Sequence, residues 1–231
     1  MTLTFATSDT ATTDHGIKVL VYGNAGAGKT RLCSTAPSPL IISAEAGTMS
    51  IRHKKIPLVI VKDIKDVEEA YTWCQLNGKK SGIQTLCLDS ISEITEKCLA
   101  AEKVKNKDPR AAYGEMANRI VELVKKFRDL AGFHVVISAK ATQTVDAITG
   151  ATKAAPMCPG QQVGPALPYL FDEVFYAYTD KDPATNKNFW ALRTVASFNC
   201  DAKDRSGVLD EIEYPDLTNI FNKIATLPVP A

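Results

Sequence analysis

The chain of 231 residues is the size of one well-filled α/β domain, and a separate second domain is not expected. Its 45% apolar and 23% charged residues lie near the average for soluble globular proteins, which excludes disordered, collagen-like and coiled-coil chains. Twenty-seven basic against 26 acidic residues leave a net charge of +1, so no whole-molecule basic field announces nucleic acid.

The first stretch, residues 1–14, is polar and Thr-rich and reads as a flexible terminus. It has no basic start followed by an apolar run, and no later stretch approaches the roughly 18 apolar residues of a membrane span. Neither a secretory signal nor a membrane contact is expected. The six cysteines (Cys33, Cys74, Cys87, Cys98, Cys158, Cys200) show no C-x-x-C spacing and read as reduced, buried side chains. His15, His53 and His134 have no ligand partner at i+3 or i+4, which speaks against zinc. A cytoplasmic protein follows.

Residues 17–22 alternate into a short strand ending at Gly23, followed by a Gly-rich turn and a helix. Short apolar runs at 39–43 and 58–61 read as strands of a parallel sheet covered on both faces. Ile64, Val67, Tyr71 and Cys74 share one helical face. Residues 83–88 form another strand, after which Ser90 and Glu93 are spaced as a capping box opening a helix toward Lys105. A second helix carries Met116, Ile120, Leu123, Phe127 and Leu130 and stops near Gly132, and 133–138 is again a buried strand. Residues 141–168 are rich in Gly and Pro with almost no periodicity and read as a long mobile loop. Strands at 173–178 and 189–196, joined by a turn, and a helix at 217–224 close the chain. Alternating strands and helices predict right-handed crossovers and a ligand beyond the carboxyl ends of the strands.

Gly23-Asn24-Ala25-Gly26-Ala27-Gly28-Lys29-Thr30 fits G-x-x-x-x-G-K-[ST] without a mismatch. Placed between a strand and a helix, its N–H groups can point at phosphates, Lys29 can reach the β- and γ-phosphates, and the Thr30 hydroxyl can bind Mg²⁺. Arg31 directly after the motif is included in the nucleotide-binding set. Asp89, ending an apolar strand, is a second candidate for the magnesium shell, or else a helper of the Ser90 cap. Glu45 lies just past the strand at 39–43, where a carboxylate could activate a water as general base; the alternative is an exposed surface side chain. Lys203 and Arg205, one residue apart after a late strand, could act as a finger on a phosphoryl group across a subunit interface, or form a salt-bridged hairpin tip. The run from Lys103 to Arg128 holds eight basic residues against three acids, enough for one basic face or for ordinary solvated helix surfaces.

These motifs, in this order, resemble the RecA core: the P-loop, the strand leading to Glu45, the strand ending in Asp89, and the strand at 135–138 before a long segment. Within that group the chain is most similar to compact phage nucleotide-binding proteins, some of which are single-strand annealing proteins of the Sak-four type. The resemblance spans about Gly16 to Ile224. It implies a three-layer RecA-like P-loop NTPase core, with a mainly parallel sheet, helices on both faces and a late antiparallel strand pair, forming one ATPase domain over 15–231. It further implies an ATP hydrolase using ATP and Mg²⁺, with Glu45 as catalytic glutamate and Lys203 and Arg205 reaching a neighbour's ATP in a homo-oligomer. Residues 141–168 would bind single-stranded DNA, a single-stranded DNA-binding protein would be a possible partner, and the location would be the cytoplasm of a bacterial host. Where the family places a γ-phosphate-sensing Gln this chain has Lys140, assigned to the nucleotide, with Gln143 three residues later. The 141–168 segment holds one lysine, Lys153, and no aromatic residue, so neither phosphate neutralisation nor base stacking is strongly written into it. A non-DNA P-loop enzyme such as a small-molecule kinase is the rival reading; the segment lacks the arginines that would clamp a transferred phosphate. An ATP-gated binding module is a third.

Overall fold

The computed structural model describes residues 15–45, 47–145 and 150–226. The terminus read as flexible, 1–14, lies outside the described residues, as do 146–149. The strands are β1 (Lys18–Gly23), β2 (Pro39–Ser43), β3 (Leu58–Ile60), β4 (Thr85–Asp89), β5 (His134–Val145), β6 (Thr152–Met157), β7 (Glu173–Lys181), β8 (Asn188–Arg193), β9 (Lys203–Asp204) and β10 (Ile212–Glu213). The α-helices are α1 (Lys29–Cys33), α2 (Ile64–Trp73), α3 (Ile91–Lys105), α4 (Pro109–Arg128), α5 (Val163–Ala166) and α6 (Leu217–Ala225).

One mixed sheet runs in the order β10-β8-β7-β1-β5-β4-β2-β3, with β6 on β5 and β9 on β7. The six strands from β7 to β3 in that order are parallel; β6, β8, β9 and β10 are antiparallel additions. Alternation along the central strands sorts the core into two layers. Leu20, Leu40, Ile42, Leu86, Leu88, Val135 and Ile137 face α2, α3 and α4, meeting Ile64, Val67, Ile94, Cys98, Ile120 and Phe127. Val19, Val21, Ile41, Cys87, Val136 and Phe175 face α1 and α6, meeting Leu32, Cys33, Leu217, Ile220 and Phe221. Strands buried on both faces are continuous apolar runs because neither face has water to satisfy. All six cysteines are buried and free. Among the described residues no helix is long and apolar enough to cross a membrane.

Three expectations are corrected. The run at 58–61 is not covered on both faces: β3 is the sheet edge, with Leu58 and Ile60 exposed. An apolar triplet has the same composition at an edge as at the centre. Residues 141–168 are not a loop: β5 continues to Val145 and returns as β6, with Lys140 opposite Met157 and Val145 opposite Thr152. Pro156, read as a breaker, sits on an outer strand where a missing N–H is tolerated. The capping box is half made. Ser90 accepts from the Glu93 N–H at 3.5 Å, while the Glu93 side chain bonds Lys140 instead.

Candidate active site

The parallel strands end together at the carboxyl edge, where Gly23 lies beside Lys140 of β5 and Ala177 of β7, and Ser43 beside Asp89. Gly23 is required there: a Cβ would stand 2.2 Å from the Ala177 carbonyl oxygen. The turn that follows brings Gly28 to a φ of +79°, in the left-handed region that favours glycine, as the chain enters α1. Lys29 folds back over the turn, its Nζ donating to the carbonyls of Gly23 (2.8 Å) and Asn24 (3.0 Å). Burial lowers its pKa while the carboxylates of Glu45 and Asp89 oppose the shift, so both acids lie within electrostatic reach of the ammonium.

Thr30 Oγ1 donates to Asp89 Oδ2 at 2.6 Å, and Ser138 Oγ donates to Asp89 Oδ1 at 2.5 Å. Asp89 is buried, and both its oxygens are taken by hydroxyls from the P-loop helix and the neighbouring strand. Glu45 accepts from Ser90 Oγ at 2.5 Å, one residue beyond Asp89. The structure therefore brings together four of the residues singled out in the sequence, Lys29, Thr30, Asp89 and Glu45, around one edge of β1, β2 and β4. Thr30 and Asp89 present hard oxygen donors side by side, which suits Mg²⁺ completing its shell with water and phosphates. Among the described residues there is no group of three or more His, Cys, Asp or Glu that could hold a metal ion.

Other assignments fare differently. Lys140 is level with Gly23, but its ammonium is committed to Glu93 and to Glu96 (3.3 Å), and the Glu93 hydrogen bond raises its pKa. Lys203 and Arg205 lie at the opposite, amino edge. Lys203 pairs in register with Val174, and its Nζ donates to the carbonyls of Pro168 (2.9 Å) and Phe171 (2.5 Å). Arg205 meets Asp172 at 2.7 Å. From the register of Lys203 to Gly23 is three residues, about 10 Å along β1, and both cations point to groups at the amino edge, away from their own chain's P-loop. Four of the eight basic residues of the run Lys103–Arg128 are ion-paired: Lys105 meets Glu102 (2.9 Å), Arg119 bridges Glu68 (2.7 Å) and the same Glu102 (2.8 Å), Lys126 meets Glu122, and Arg128 meets Asp129.

Sequence reasoning missed Ser138, the non-capping role of Ser90, and Trp190, whose Nε1 donates to the Gly26 carbonyl at 3.1 Å. A strand ending in Ser beside one ending in Asp was the available signal for the first; nothing local ties Trp190 to a loop 164 residues away. Tyr22 was also missed. Its hydroxyl donates to the Asp201 carbonyl (2.5 Å) and lies 3.0 Å from the Ala154 carbonyl, which shares the same proton, placing β6 and the segment before β9 against the strand that leads into the P-loop.

Comparison with known proteins gives a family model described as an AAA domain, which matches residues 15–206. A search of curated proteins finds no match. Among solved structures, a KaiC-like protein, PH0186, from the hyperthermophilic archaeon Pyrococcus horikoshii OT3 is similar at 15% identity, covering 78% of this chain and 79% of that one with a TM-score of 0.43.

Proposed function

The chain belongs to the AAA domain family of P-loop ATPases, and on that premise we propose that it hydrolyses MgATP at the carboxyl edge of β1, β2 and β4. The observation that carries this reading is the pair of hydroxyl–carboxylate contacts, Thr30 to Asp89 and Ser90 to Glu45, set one residue apart at the end of β4. Lys29 moves from the carbonyls of its own loop to the β- and γ-phosphates, supplying positive charge where negative charge develops. Thr30 and Asp89 would hold Mg²⁺, which neutralises charge on the phosphoryl oxygens. Glu45, oriented by the Ser90 hydroxyl, takes a proton from the attacking water while the bond from the γ-phosphorus to the bridging oxygen breaks, leaving ADP and phosphate.

Glu45→Gln keeps the shape and removes the base. Turnover is expected to fall about 10²-fold or more while nucleotide affinity is retained. Turnover within a few-fold of the parent would remove Glu45 from the mechanism.

The finer reading is turnover coupled to single-stranded DNA, in an oligomer with ATP at its subunit interfaces. What supports it is the β5–β6 hairpin, which rises from the same edge as the P-loop, one strand away from Gly23, and carries the exposed Gln143, Thr144 and Val145. Turnover measured with and without single-stranded DNA at low salt tests this. Stimulation supports it; no binding and no change leave a P-loop ATPase acting on something else.

A further inference from the structure

Trp190 has no part in the P-loop motif, yet it is built into the loop. Its position opposite Thr179, two residues past the Ala177 that sits beside Gly23, makes β8 overhang the turn. The indole N–H donates to the Gly26 carbonyl, and the ring lies 3.3 Å from where a Cβ on Gly28 would stand. The Arg31 guanidinium is 5.5 Å from the ring centroid, within cation–π range. The indole is nonetheless 39% exposed, an aromatic surface left open beside a phosphate-binding loop.

The direction of a bound triphosphate follows from the sheet order. Glu45 and Asp89 lie on the β2–β4 side of the P-loop, so the γ-phosphate, which must meet the base and the metal, lies on that side too. The chain of phosphates then runs back across the loop toward β7 and β8. Its nucleoside end arrives where Trp190 and Arg31 stand.

The geometry points to Trp190 and Arg31 as a nucleobase platform, an indole–guanidinium pair on which the base of the nucleotide stacks. The inference rests on the ATPase reading above and adds the residues that distinguish a nucleotide from a bare polyphosphate. Stacking on an aromatic face tolerates any base, so the platform supplies affinity for nucleotides as a class.

The test compares a non-hydrolysable MgATP analogue with magnesium tripolyphosphate, which has phosphates and no base, by calorimetry on the full chain. Trp190→Ala is expected to weaken the analogue roughly tenfold or more and to leave tripolyphosphate within about twofold. Trp190→Phe, which keeps an aromatic face but lacks the N–H bond to Gly26, recovers most of the loss. Equal weakening of both ligands, with no recovery in the Phe variant, would make Trp190 a strut of the P-loop and overturn the platform. A second measurement leaves Trp190 intact: with Trp73→Phe, Trp190 is the sole indole, and its emission should be quenched by the analogue and not by tripolyphosphate. The same change with both ligands again overturns the platform. Failure of the parent protein to bind either ligand would instead overturn the ATPase reading and the platform with it.

Discussion

The two edges of the sheet are both crowded with charge, and they spend it differently. At the amino edge charged groups end largely on backbone. Lys18 Nζ donates to the Phe133 carbonyl at 2.7 Å, Lys203 to two carbonyls, and Asp204 accepts from the N–H groups of Gly207 and Leu209. At the carboxyl edge the two acids beside the P-loop end on hydroxyls: Asp89 on Thr30 and Ser138, Glu45 on Ser90. A charge anchored to backbone stitches a turn in place and cannot be released without opening it. A hydroxyl can rotate and pass its proton or its lone pairs to an incoming ligand. Density of charge therefore does not mark the site; exchangeable partners do.

The largest effect expected from breaking the carboxyl edge is that of Lys29→Ala. It removes the cation nearest the phosphates, and turnover should fall roughly 10²–10³-fold with nucleotide binding weakened in parallel, measured by phosphate release and calorimetry. Asp89→Asn keeps the shape but removes the charge. The Mg²⁺ concentration for half-maximal turnover should rise about tenfold or more, and an unchanged titration would return Asp89 to packing the start of α3.

The amino edge should answer in stability. Glu173 is buried with Oε2 unpaired, and burial, reinforced by Asp204, pushes its pKa up to about 8 from an ordinary 4.5. Between those values the folded protein keeps a proton that the unfolded chain has released. Stability should therefore decline as pH rises from about 4.5 to 8. Glu173→Gln should flatten that decline and gain roughly 1–3 kcal/mol over the parent at pH 8 in urea melts, with turnover per folded molecule unchanged.

The smallest effect is that of Lys203→Ala, which strands the Pro168 and Phe171 carbonyls and should cost about 1–2 kcal/mol of stability. Its turnover sharpens the comparison. Loss of turnover in a folded Lys203→Ala/Arg205→Ala protein, recovered on mixing with Glu45→Gln, would give the amino edge a second role at a neighbouring subunit's nucleotide.

What could be read in the sequence was what is local in it. Gly23 to Thr30 is one contiguous motif, and Asp89 and Glu45 each follow an apolar run that can only be a strand. The central layers were equally plain, because the doubly covered strands are apolar through their middles and keep polar residues such as Lys18, Ser43, Thr85 and Asp89 at their ends. The hairpin was hidden because Gln143 and Thr144 face solvent along an outer ribbon, where no apolar alternation is needed, and Pro156 and Gly150 resemble punctuation. The hydroxyl that holds Glu45 lies 45 residues away and was already explained by its position at a helix start. One residue can serve two structural grammars, and sequence shows the nearer one.

The end of α1 shows how far the P-loop depends on distant chain. Thr35, just past that helix, accepts from the Leu217 N–H with its hydroxyl (2.9 Å) and from the Thr218 hydroxyl with its carbonyl (2.6 Å), while Phe221 stacks on His134. The five-residue α1 is too short to be stable alone, and α6 is the splint along which it is set. A truncation before Leu217 would leave every motif residue in the polypeptide and still loosen the loop that needs them in order. For this protein the closing helix is part of the nucleotide site in the sense that a hinge pin is part of a door.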